Sequence, residues 1–136
     1  MKVSIITVCY NSAETVIDTL QSVLCQDYTD AEHIVVDGGS TDGTADVIGR
    51  CKGRIATFIS EPDEGIYDAM NKGIRIARGD IIGFLNADDI YADASVISDV
   101  TTALAAGGFD GVYGDLVYVR RDDPAKVTRY WKAGEY

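Results

Sequence analysis

The chain has 136 residues, the size of one domain able to bury a core, with 12 Lys and Arg against 22 Asp and Glu, a formal charge of −10 and an ordinary 46% hydrophobic fraction. That acidity excludes a phosphate-tracking surface, and with it a nucleic-acid partner, because such surfaces need clustered basic residues; it equally excludes a polybasic patch for anionic lipid. The longest apolar runs, Val3 to Cys9 and Ile81 to Leu85, are far too short to span a bilayer, and no signal-peptide pattern opens the chain.

In chain order, VSIITVC (Val3 to Cys9) reads as a buried strand. Ser12 is placed to cap a helix in which Val16, Ile17, Leu20, Val23 and Leu24 keep a 3.6-residue period. His33 to Val36 form a second short strand ending at Asp37. The loop GGSTDGT then leads into a helix with Val47, Ile48 and Cys51 on one side. Ile55 to Ile59 is a third strand. A third helix is lined by Ile66, Met70, Gly73, Ile74 and Ala77 and stopped by Gly79. Asp80 to Asn86 is a fourth strand, and Val96, Ile97, Val100 and Leu104 mark a fourth helix closed by Gly107 and Gly108. Strands are then expected at Gly111 to Tyr113, Leu116 to Arg120 and Val127 to Trp131. Cys9, Cys25 and Cys51 are odd in number and contain no CxxC pair. Cys9 and Cys25 read as small buried hydrophobes, and a reduced, cytoplasmic setting follows.

Near-continuous apolar strands alternating with helices predict an α/β fold, a parallel sheet covered on both faces. Ligands bind such sheets at the carboxyl ends of the strands. That edge gathers Tyr10 and Asn11, Asp37 to Asp42, and Asn86 to Asp89.

Three polar groups carry candidate chemistry. The loop DGGSTDGT, Asp37 to Thr44, reads either as a tight turn in which Ser40, Thr41 or Asp42 caps the next helix, or as a base-binding loop. It is neither a GxGxxG fingerprint nor a P-loop. As an acceptor, Asp37 suits a base with a ring N–H, as in uracil, thymine or guanine, and disfavours adenine and cytosine. Asp88 and Asp89 either cap a loop or await a cation. A diphosphate beside them is opposed by about 4 kcal/mol per charge pair at 4 Å and an effective dielectric of 20, whereas Mg²⁺ or Mn²⁺ reverses that sign. In the third group, Glu61 to Gly65 followed by Tyr67, Asp68, Asn71 and Lys72, Lys72 either neutralises a phosphate or lies on a solvated helix face. His33 has no ligand partner in sequence and reads as structural. No Ser/His/Asp or Cys/His nucleophile pattern stands out.

Taken together, SIITVCYN, DGGSTDGT, DEGIYDAMNKGI and ARGDIIGFLNADD, in that order through nearly the whole chain, resemble the family 2 glycosyltransferases, inverting enzymes of GT-A fold. With YGD at Tyr113 to Asp115, the pattern is most similar to bacterial enzymes of exopolysaccharide or lipopolysaccharide synthesis. The resemblance implies a Rossmann-like, three-layer α/β/α domain over residues 1–136 with a mainly parallel, twisted sheet. It implies a nucleotide-diphosphate sugar donor, UDP-sugar first, and a glycan or lipid-linked acceptor. Thr7, Cys9 and Tyr10 would border the nucleotide, Asp37 would hold the base, and Asp88 would contact ribose or metal. Either Asp88 or Asp89 would hold Mg²⁺ or Mn²⁺. The metal would stabilise the departing nucleoside diphosphate while an acceptor hydroxyl attacks the anomeric carbon.

Two departures qualify the likeness. Asn86 stands where the family's DxD motif often begins with Asp. The family's general base lies beyond the donor-binding half, around where this chain ends at Tyr136, and Asp115 is a stand-in by position only. The chain is therefore expected to be a donor-binding domain truncated at its C-terminus. Apolar surface exposed by such a cut would favour a homodimer, and lipid-linked acceptors would bring the full-length protein to the inner face of the membrane. A non-catalytic nucleotide-sugar-binding module predicts the same donor site without turnover. A sugar nucleotidyltransferase ranks lower, because it wants a Gly-rich basic loop where this chain reads CYNSAET.

Overall fold

The computed structural model describes residues 1–51, 53 and 55–134. They fall into two compact units, Met1–Asp99 and Val100–Tyr136. The first holds β1 (Val3–Cys9), α1 (Val16–Leu24), β2 (Ala31–Asp37), α2 (Thr44–Gly49), β3 (Thr57–Ser60), α3 (Ile66–Ile76) and β4 (Ile81–Phe84). Next come α4 (Val96–Ala105) and the strands β5 (Leu116–Arg120) and β6 (Asp123–Trp131).

β1 to β4 form one parallel sheet in the order β3-β2-β1-β4. β1 lies between two partners and under two helical layers, so all seven of its residues are buried. That is why it reads as a continuous apolar run instead of an alternating one. Its period-two pleat still sorts the side chains. Val3, Ile5 and Cys9 join the clusters that include Val16, Leu20 and Val23 of α1, Ile48 of α2 and Ile97 of α4. Ile6 and Val8 face the other way, with Ile34, Val36 and Ala69 of α3. The result is the three-layer α/β/α architecture, and burying each of these aliphatic chains contributes about 1.5–3 kcal/mol. α1 buries Val16, Thr19, Leu20 and Val23, the i, i+3, i+4, i+7 stripe of an amphipathic helix. α3 lies so close to β1 that a Cβ on Gly73 would stand 2.5 Å from Ile6 Cγ2. Glycine there is a packing requirement.

At the amino end of the sheet, Glu32 accepts hydrogen bonds from Lys2 Nζ (2.7 Å), Ser4 Oγ (2.6 Å) and the Arg78 N–H (2.6 Å). Desolvation alone would raise its pKa, but these donors outweigh it and hold the carboxyl down at about 2.

Several boundaries differ from those expected. α1 starts at Val16 with Thr15 at its N-cap. Ser12 instead closes the preceding turn, its carbonyl accepting from the Thr15 and Val16 N–H groups and its hydroxyl turned back to the Tyr10 carbonyl at 3.2 Å. α3 ends at Ile76 because Ala77 is already extended, ahead of Gly79. β3 and β4 are shorter than their apolar runs. Isolated ladder bonds extend beyond them, from Ala56 N–H to the His33 carbonyl and from Leu85 N–H to the Ile6 carbonyl. Cys25 is exposed, not buried, because it caps the C-terminus of α1, past the apolar stripe that ends at Val23.

In the second unit, β5 and β6 pair antiparallel, Leu116 opposite Trp131, and the expected Val127 to Trp131 strand lies within β6. Gly111 to Tyr113 is not a strand. The two residues between Gly111 and Gly114 offer too little side-chain packing to hold one. Gly107 and Gly108, at φ 84° and 88°, close α4 as expected. Among the described residues, no helix is long and apolar enough to cross a membrane.

Candidate nucleotide-sugar site

All four parallel strands point their carboxyl ends at one cleft of about 1160 Å³. The strand order reverses between β1 and β4, and that switch point is where open parallel sheets leave a crevice. The walls come from Val8 to Thr15 at the end of β1 and after it, Gly38, Gly39 and Asp42 after β2, Pro62, Asp63, Gly65, Ile66 and Ala69 around the start of α3, and Asn86 to Asp88 after β4.

The first two loops are stitched together. Asn11 sits in the left-handed region at φ 49°, a conformation asparagine tolerates. Its N–H donates to Ser40 Oγ at 2.8 Å, and its Oδ1 accepts from the Thr41 N–H at 3.0 Å. Ser12 N–H donates to Thr44 Oγ1 (2.8 Å) and Ala13 N–H to Asp42 Oδ2 (3.0 Å). The other Asp42 oxygen accepts from the Thr44 hydroxyl (2.5 Å) and N–H (3.0 Å), and the Thr44 hydroxyl above all lowers the Asp42 pKa. These bonds fix the backbone of the cleft before any ligand arrives.

Asp37 is fully buried and is not a wall of the cleft. One of its oxygens accepts from the Ser40 hydroxyl, and the other accepts from the Ser40 N–H (3.1 Å) and Ser60 Oγ (2.7 Å). The carboxylate therefore ties the β2 loop to the end of β3. Cys9 does line the cleft. Its thiol points at the Val36 carbonyl (3.6 Å) and Asp37 Oδ1 (3.7 Å), and burial, followed by the Asp37 charge, pushes its pKa well up. Both effects favour the neutral thiol over the thiolate. Tyr10, 63% exposed, presents its ring at the mouth.

At the end of β4, Ala87 packs into the core with Cys9, Val16 and Leu20, which anchors the NADD turn. Asp88 is exposed and faces the cleft; Asp89 is not among its walls. The Asp89 N–H closes the turn onto the Asn86 carbonyl at 3.0 Å, and its own carbonyl accepts from Thr19 Oγ1 at 2.8 Å. Partial burial, and then the adjacent Asp88 charge, raises the Asp89 pKa. Beside them, Asn86 Oδ1 is buried with no hydrogen-bond partner among the described residues. A buried unpaired carbonyl oxygen next to two carboxylates fits a hard divalent cation, which would satisfy the first and neutralise the second. Among the described residues no three His, Cys, Asp or Glu side chains converge as a cage.

Of the residues to which the sequence assigned nucleotide or metal contacts, the cleft thus brings together Cys9, Tyr10 and Asp88. The Thr7 side chain is in the core, 2.9 Å from His33 Nε2. Lys72 is not a wall either. Its ammonium bonds the Pro62 carbonyl (2.9 Å) and pairs with Glu61 (3.0 Å) and Asp68 (3.5 Å), clamping the loop after β3. That loop places Asp63 in the cleft, a residue to which the sequence attached no role.

The comparisons with known proteins agree with this fold. The Glycosyl transferase family 2 model matches residues 4–134. Over 107 residues the chain is 40% identical to an uncharacterized glycosyltransferase of Mycobacterium tuberculosis, covering 78% of this chain and 41% of the relative. It is 35% identical over 118 residues to the PGL/p-HBAD biosynthesis glycosyltransferase of Mycobacterium bovis, covering 84% of this chain and 46% of that one. The chain thus spans less than half the length of these relatives. S. aureus TarS 1–349, solved with UDP-GlcNAc, superposes at a TM-score of 0.71 with 25% identity, over 78% of this chain and 32% of that one. The Pyrobaculum calidifontis mannosyltransferase PcManGT, solved with GDP-Man and Mn²⁺, gives 0.71 and 28% over 88% of this chain and 36% of its own. With a parallel GT-A sheet, a cleft at its switch point and a family match over nearly its full length, the chain belongs to glycosyl transferase family 2.

Proposed function

We propose that these residues form the donor-binding part of a metal-dependent, inverting glycosyltransferase. It takes a nucleotide-diphosphate sugar, UDP-sugar first, and serves a glycan or lipid-linked acceptor in cell-surface polysaccharide synthesis. The observation that carries the reading is the end of β4, where exposed Asp88 shares the cleft with Asn86, whose Oδ1 is buried and unpartnered. Tyr10 offers a ring face to the nucleoside, and the interlocked β1 and β2 loops hold the cleft open in one shape. Asp88 and Asn86 Oδ1 would hold Mg²⁺ or Mn²⁺, with Asp89 tuning their charge. When bound, the ion neutralises the diphosphate and acts as a Lewis acid toward the leaving nucleoside diphosphate. PcManGT with GDP-Man and Mn²⁺ and TarS with UDP-GlcNAc support this donor chemistry.

A binding module without turnover is favoured by one observation in the second unit. The Asp115 carboxylate accepts from the Tyr130 hydroxyl and from the Ala133 N–H at 2.9 Å, and the Tyr130 bond above all lowers its pKa. A carboxylate so occupied is a poor base. Asp88→Asn tests the shared donor site: metal-dependent UDP affinity should fall at least tenfold, with little change when UDP binding is measured without metal. An unchanged metal dependence would remove Asp88 from the site.

A further inference from the structure

Asp37 is buried with both carboxylate oxygens accepting from Ser40 and Ser60, so it cannot meet a ligand in the cleft. One neighbouring carboxylate does reach the same place. Gly38 follows Asp37 directly, and a Cβ on Gly38 would lie 2.5 Å from Asp63 Oδ2. The Asp63 carboxylate therefore occupies the space in which a side chain at position 38 would stand. Gly39 completes the opening: its Cβ position is 3.2 Å from the Pro62 nitrogen, so the loop after β3 lies directly on the two glycines. That loop is fixed by Glu61 N–H on the Asp37 carbonyl (3.0 Å) and by Lys72 on the Pro62 carbonyl (2.9 Å). Asp63 Oδ1 accepts from the Gly65 N–H at 2.9 Å, whereas no hydrogen bond among the described residues ends on Oδ2. Gly38, Asp63 and Tyr10 all line the cleft.

We infer that Asp63 is the side chain that reads the nucleobase, accepting its ring N–H on Oδ2. The inference rests on the donor-site reading above and assigns its base specificity. A fixed acceptor with a free oxygen favours uracil, thymine or guanine, which present a ring N–H. It rejects cytosine and adenine, whose corresponding nitrogen is itself an acceptor. Sites built around a substrate N–H discriminate strongly, because a mismatched partner leaves a polar group unpaired.

The test is calorimetric titration of the chain in Mn²⁺ with UDP, CDP and UDP methylated at uracil N3, repeated on Asp63→Asn. In the variant the Gly65 N–H still claims Oδ1, which puts the amide Nδ2, a donor, where Oδ2 stood. The parent should prefer UDP to CDP and to the methylated analogue by at least tenfold. In Asp63→Asn the UDP-to-CDP ratio should fall at least tenfold, because Nδ2 can donate to cytosine N3. A loop-holding role alone would weaken all three nucleotides together and leave the ratio unchanged; that result, or a parent indifferent to N3 methylation, overturns the inference while the donor site stands. A parent that binds none of the three removes the donor site and the inference with it. Should the variant unfold, the parent's response to N3 methylation still decides.

Discussion

Replacing His33 by Gln should flatten the acid limb of the stability curve. His33 lies in β2 at 5% exposure, with Nε2 on the Thr7 hydroxyl at 2.9 Å and no partner for Nδ1 among the described residues. Burial lowers its pKa from 6.5 to about 4. Between those values the unfolded chain binds a proton that the native chain refuses, so native stability falls as pH drops through the window. At 1.36 kcal/mol per pH unit, the gap corresponds to about 3 kcal/mol lost from near neutrality to pH 4. Surface carboxylates titrate in both proteins and cancel in the difference. Urea unfolding of parent and His33→Gln at pH 7.5, 6.5, 5.5 and 4.5 measures it. The parent's advantage over the variant should shrink by about 2.5 kcal/mol between pH 7.5 and 4.5. Parallel curves, with a difference constant to about 0.5 kcal/mol, would show that His33 protonates as easily in the native state as in the unfolded one and refute the burial argument.

Gly73→Ala should destabilise by about 1–3 kcal/mol, because the new methyl meets Ile6 Cγ2 at 2.5 Å and the gain of about 1 kcal/mol in helix propensity does not offset overpacking; a raised melting temperature would contradict the close α3–β1 approach. Glu32→Gln should cost about 1–3 kcal/mol at neutral pH by weakening the bonds from Lys2, Ser4 and the Arg78 N–H. Because the folded pKa is depressed to about 2, that stability is present above about 4.5 and lost as pH falls toward 2, so parent and variant should converge in acid urea melts.

The fold was legible because its signals are repetitive. Seven consecutive buried residues in β1 and the 3.6-residue stripe of α1 are set by layer packing, which leaves the same trace wherever it occurs. Boundaries were less legible. Ser12 looks like a cap, but its hydroxyl has a nearer acceptor in the Tyr10 carbonyl, and that competition is invisible in composition. In the site, the placement of the acidic turn at the cleft was readable from its position after a parallel strand. Asp37 and Lys72 were not. Both are polar residues of the right type at the right edge, yet Ser40 and Ser60 claim the first, and Pro62, Glu61 and Asp68 claim the second. The partners come from loops distant in sequence. The signal for Asp63 was present as an absence: two glycines after Asp37 leave room for a side chain to arrive from elsewhere, but only the fold says which one.

The most direct measurement of the central claim is calorimetric titration of this chain with UDP, GDP and dTDP, each with and without Mn²⁺. A metal–diphosphate site at Asp88 and Asn86 predicts saturable binding of UDP that strengthens at least tenfold when Mn²⁺ is present. Binding of none of the three nucleotides in Mn²⁺, or an affinity for UDP indifferent to the metal, would contradict it.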